Sequence, residues 1–92
     1  MRTQEEALYV AIANSYAAGR SAGWTPLEWF NKMWADGDGA PYHARLAILN
    51  VTATMLLHES EHLDTVEATE VNDRLQYEVY RLRIADYVVL VN

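Results

Sequence analysis

Residues 41–63, PYHARLAILNVTATMLLHESEHL, decide how this chain folds. Leu46, Leu49, Ala53, Leu56, Ser60 and Leu63 step by three and four residues, and so do Ile48, Val51, Met55, His58 and His62. The spacing predicts a helix from about Pro41 to Leu63 with two apolar seams. Such a helix is either central in its own domain or shared with a second molecule.

On the amino-terminal side, Thr25-Pro26-Leu27-Glu28 places a threonine N-cap, a proline at the first helical position and a glutamate three residues after the cap. A short helix is expected there, with Leu27, Phe30 and Trp34 on one face and Trp29 and Met33 beside them, ended by the turn Asp36-Gly37-Asp38-Gly39. Trp24, Trp29 and Trp34 recur every five residues and cannot share one face, so two are expected in the core and one partly exposed. Thr3 and Glu6 have the spacing of another capping box, opening a first helix with Leu8, Ile12 and Tyr16 on its apolar face. Ala7, Ala11, Ser15, Ala18 and Ala22 form a stripe of small side chains that would let a second helix approach closely, and Gly19 and Gly23 close the segment.

On the carboxy-terminal side, Asp64 and Glu67 suit the N-cap and third position of a last helix. Its first seam is Val71, Leu75, Val79, Leu82, Ala85 and Val89, and a second, starting late, is Tyr77, Tyr80, Ile84, Tyr87 and Val91. Tyrosine and valine also favour strands, but Arg81 and Arg83 interrupt any period-two face. The expected fold is all-α: one domain over residues 1–92, a compact bundle of about four helices, two short amino-terminal ones and two long carboxy-terminal ones forming an antiparallel hairpin.

The charge is local. Between Glu59 and Glu78 seven acids face one base, Arg74, for a net of −6, and the rest of the chain balances. Glu61, Asp64, Glu67, Glu70 and Asp73 stand three residues apart, as an acidic contact patch or a mimic of nucleic-acid phosphates that blocks a DNA-binding protein would require. Direct nucleic-acid binding is not expected, because the seven basic residues form no patch beyond Arg81 and Arg83. The absence of cysteine rules out disulfides and thiolate zinc sites. A charged start, Met1 to Glu6, and the lack of a long apolar run lead us to expect a cytoplasmic protein with no membrane contact.

His58-Glu59-Ser60-Glu61-His62 matches His-Glu-x-x-His. On a helix that pattern puts two imidazoles one turn apart, with the glutamate placed to deprotonate a metal-bound water. Over these five residues the chain resembles zinc metallopeptidases. The resemblance implies a zinc-dependent hydrolase with His58 and His62 as ligands and Glu59 as catalytic base, and in the expected hairpin the start of the last helix, with Glu67 and Glu70, would pass close enough to complete the metal set. The other reading needs neither cofactor nor chemistry: both histidines simply extend a seam. Asp36-Gly37-Asp38-Gly39 lacks the further oxygen ligands of a calcium loop, and no nucleophile elbow or phosphate loop is present.

Counting faces favours the second reading. Two helices with two seams each leave apolar surface that two smaller helices do not cover, and monomers rarely tolerate large exposed patches. A protein-protein interaction module is therefore expected, binding through Tyr77, Tyr80, Ile84, Tyr87 and Val91 and through the acidic patch, with a symmetric homodimer as its simplest form. Small size, missing cysteine and local acidity resemble those of small bacteriophage accessory proteins that bind and inhibit a host protein.

Overall fold

A computed structural model describes the backbone of residues 3–91 and the side chains of residues 4–82. The chain is all-helical: α1 (Thr3–Ser21), α2 (Pro26–Asp36), α3 (Tyr42–Glu59) and α4 (Thr65–Val91). The expected helices are all present, but their lengths differ from expectation. At 19 residues α1 matches the 18 of α3, so only α2, at 11, is short.

Local chemistry sets the boundaries. The Thr25 hydroxyl accepts from the Glu28 amide at 3.1 Å while the Glu28 carboxylate accepts from the Thr25 amide at 2.9 Å, and Pro26 takes the first helical position. Helix α1 runs through Gly19 and stops before Gly23, whose φ of 93° suits a residue without a side chain, with the Trp24 amide turned back to the Gly19 carbonyl at 2.9 Å. Asp64 accepts from the Val66 amide at 3.3 Å, which starts α4. Helix α3 ends at Glu59, four residues short of the expected end, and tighter bonds close the chain through Ser60 to His62, including His62 amide to Glu59 carbonyl at 2.8 Å.

Helix α3 is the hub. It packs on α1, α2 and α4, whereas α1 and α4 make no packing contact with each other among the described residues. Helix α2 likewise touches the other three. The result is a layer of α1, α3 and α4 with α2 laid across one side. Overall dimensions of 44 × 31 × 21 Å fit this arrangement, since a packed helix is about 10 Å thick. Ile48, Leu49 and Val51, drawn from both seams of α3, are buried, so the two-sided pattern marks a central helix over that half, while Ala53 and His58 further along the seams are exposed.

The core joins Ile12 and Tyr16 of α1, Trp29, Phe30 and Trp34 of α2, Ile48, Leu49 and Val51 of α3, and Val71 and Leu75 of α4. Trp29 meets Tyr16 edge-on at 5.0 Å and donates its indole N–H to Ser15 at 3.2 Å. Phe30 stacks on Trp34 at 5.2 Å. Trp24 remains 38% exposed, giving the expected two buried tryptophans and one outside. The small-residue stripe of α1 does not mediate close approach: Ala7, Ala11, Ala18 and Ala22 are exposed. Gly19 does so instead, for a Cβ there would sit 3.0 Å from Cδ1 of Trp29.

Candidate functional site

Helix α4 buries Val71, Leu75 and Glu78 and turns its opposite face to solvent. That face carries Val66, Glu70, Asp73, Tyr77 and Tyr80, with Val66 62%, Tyr77 58% and Tyr80 60% exposed. Carboxylates occupy the first part of the stripe and phenol rings the next. Of the proposed acidic patch, Glu61, Asp64, Glu70 and Asp73 are exposed, while Glu67 is half-buried. Of the proposed apolar contact set, Tyr77 and Tyr80 lie on the exposed face, and the side chains of Ile84, Tyr87 and Val91 lie outside the described residues. The guanidinium of Arg81 stands 5.7 Å from the Tyr77 ring centre, which steadies the ring at its exposed position. Tyr80 also borders an open groove of about 360 Å³ between α3 and α4, beside Ala53 and Val79.

The two ends of the acidic stretch behave differently from its middle. Glu78 is 4% exposed, held by Arg74 at 2.9 Å and Arg81 at 3.7 Å. Arg74 also donates to Asn31 of α2 and lies over the Phe30 ring. Glu59 accepts from the Tyr16 hydroxyl and from Arg20 at 3.0 Å, and Arg20 in turn donates to the Trp24 carbonyl at 2.7 Å. Glu59 thus clasps α3 to α1, Glu78 holds within α4 the arginine that reaches α2, and the outward charge comes from the residues between them.

The clasp bears on the zinc-site residues. Glu59, cast as a catalytic base, is engaged by two partners on α1. His58 ends α3 and His62 lies on the following turn, both exposed, because the helix stops before the second histidine. His58 and His62 therefore do not share one α-helix. Among the described residues no three histidine, aspartate or glutamate side chains converge as a metal-binding group.

Burial and the neighbouring Glu59 carboxylate push the Tyr16 hydroxyl well above the usual tyrosine value. The folded state therefore holds this proton more tightly than the unfolded chain, whose tyrosine ionises near pH ~10. Below that pH the contribution is fully present. Above it the unfolded chain loses the proton first, and stability should fall by about 1.4 kcal/mol per pH unit. Alkaline denaturation followed by circular dichroism should show this slope, and Tyr16→Phe should remove it.

Face counting on the sequence missed Tyr9, Val10, Leu57 and Val66, all exposed. The signal was available: each is an apolar residue outside every seam of its own helix. No family model matches this chain, and no curated protein or solved structure is significantly similar to it. Among the described residues no helix is long and apolar enough to cross a membrane.

Proposed function

We propose that the protein acts by binding another protein through the solvent face of α4, and that it performs no chemistry of its own. The reading rests on one observation: Val66, Tyr77 and Tyr80 stand more than half exposed along the same helix face that carries Glu70 and Asp73. Aromatic side chains at such positions are the usual anchors of an interface, and exposed carboxylates beside them select a partner whose groove is rimmed with basic residues. A helix presenting one such face fits the helix-in-groove mode of recognition. Binding of this kind would obstruct the partner's own use of its groove, as an inhibitory accessory protein does.

The test is affinity capture from the native cell followed by titration of the captured protein. Tyr77→Asp should weaken binding by at least about 30-fold, the loss expected of an aromatic anchor. Unchanged affinity in that variant would refute the site. Salt separates the two contributions, since binding through the carboxylates, as by a mimic of nucleic-acid phosphates, weakens steeply with ionic strength and binding through the tyrosines hardly does.

A further inference from the structure

The chain holds two aspartate-glycine pairs, Asp36-Gly37 and Asp38-Gly39, side by side where α2 gives way to α3. In such a pair the glycine amide has no side chain to shield it, and it can close on the carboxyl of the preceding aspartate to form a succinimide ring. The structure treats the two pairs differently. The Gly37 amide donates to the Met33 carbonyl at 2.9 Å as the cap of α2, Lys32 holds the Asp36 carboxylate at 3.4 Å, and a Cβ on Gly37 would sit 3.1 Å from the Met33 carbonyl oxygen. Asp38 and Gly39 instead form the middle of a turn that the Ala40 amide closes on the Gly37 carbonyl at 2.8 Å. The amide between the two central residues of such a turn finds no partner inside it. Among the described residues the Gly39 amide donates to no backbone carbonyl, and no ion pair includes Asp38. Both residues are exposed, and a Cβ on Gly39 would meet no atom within 4 Å.

We infer that Asp38-Gly39 is a site of spontaneous backbone modification, converting through a succinimide to isoaspartate, and that the fold withholds the same reaction from Asp36-Gly37. The Gly39 nitrogen attacks Cγ of the protonated Asp38 carboxyl, a C–N bond forms, and the amide proton leaves with the carboxyl hydroxyl as water. Water then adds at the former main-chain carbonyl of Asp38 and breaks its bond to the Gly39 nitrogen. The chain now runs through the side-chain carbonyl, and the former main-chain carbonyl becomes a free carboxylate. Water is lost and regained, so the reaction needs no oxidant and leaves mass and charge unchanged. At Asp36 the same attack requires the Gly37 amide to leave Met33 and the last turn of α2 to open. The product at Asp38 carries an extra methylene inside the turn closed by the Ala40 amide, whose acceptor, the Gly37 carbonyl, also receives Arg45 at 2.8 Å. The change therefore falls on the connection between α2 and α3. No residue of α4 takes part, so the inference is independent of any partner bound there.

Ageing the full chain in warm, mildly acidic buffer tests it. Isoaspartate is measured by methyl transfer from labelled S-adenosylmethionine, catalysed by an isoaspartyl carboxyl methyltransferase, and is placed by peptide mass spectrometry. In the folded protein it should accumulate at Asp38 about tenfold faster than at Asp36, the factor that one retained hydrogen bond supplies. In denaturant the two aspartates should convert at similar rates, because each then has only its glycine neighbour to react with. Asp38→Ser should remove most of the folded-state signal and Asp36→Ser should leave it. Both positions are exposed, so both variants should keep the helical circular dichroism of the parent. Equal rates at Asp36 and Asp38 in the folded protein overturn the proposal, as does conversion at Asp38 that occurs only in denaturant or a folded-state signal that survives Asp38→Ser.

Discussion

Phe30→Ala should cost about 3–5 kcal/mol, the usual toll for emptying an aromatic site in a packed core. Phe30 is fully buried, stacked on Trp34 and covered by the Arg74 guanidinium at 5.4 Å. Because α2 crosses three helices, the cavity would open at their common junction, where no neighbour can collapse into it without leaving another. A chain of 92 residues has a stability on the order of 5–14 kcal/mol, so the loss takes a large share of it. The melting temperature should drop by roughly 15–30 °C, measured by circular dichroism. A drop of only a few degrees would mean that α2 does not carry the core. Phe30→Leu, which keeps most of the volume, should cost about 1.5 kcal/mol or less.

Glu78→Ala should be the most damaging change among the acidic residues, at about 1.5–3 kcal/mol. The carboxylate is buried while its partner Arg74 keeps a side-chain exposure of 34%, so the stranded guanidinium remains partly solvated and the cost stays below that of breaking a fully buried pair. Chemical denaturation should show the loss, with Glu70→Ala and Asp73→Ala within about 0.5 kcal/mol of the parent as exposed controls. Equal effects at Glu78 and Asp73 would deny the clasp. Because Arg74 also reaches Asn31, Asn31→Ala should lose part of the same energy, and the double variant should cost less than the two single losses combined.

Much of the fold was legible because its punctuation is chemical. Thr25, Pro26 and Glu28 satisfy one another over four residues, and such a motif reads the same in a sequence as in a structure. The two seams of α3 were legible as well, but their meaning was not: periodicity says that both sides are covered and is silent on whether the cover is the same chain. The roles of Glu59 and Glu78 were hidden for a related reason. In the sequence they belong to an acidic run, and only the distant Tyr16 and Arg20, and the orientation of Arg74 towards α2, show that both face inward. His58 and His62 show the limit of motif spacing, because the helix ends between them. Val10 and Leu57 could have been found by asking which apolar residues belong to no seam.

Among the described residues, helices α1 and α4 each lean on α2 and α3 and not on one another. Cooperativity between the two flanks must pass through the middle pair, so either flank can detach while the remaining three helices keep their shared contacts. Amide exchange under native conditions should accordingly divide the molecule, with the protons of α1 and α4 exchanging through separate partial openings and those of α3 surviving until the whole structure is lost.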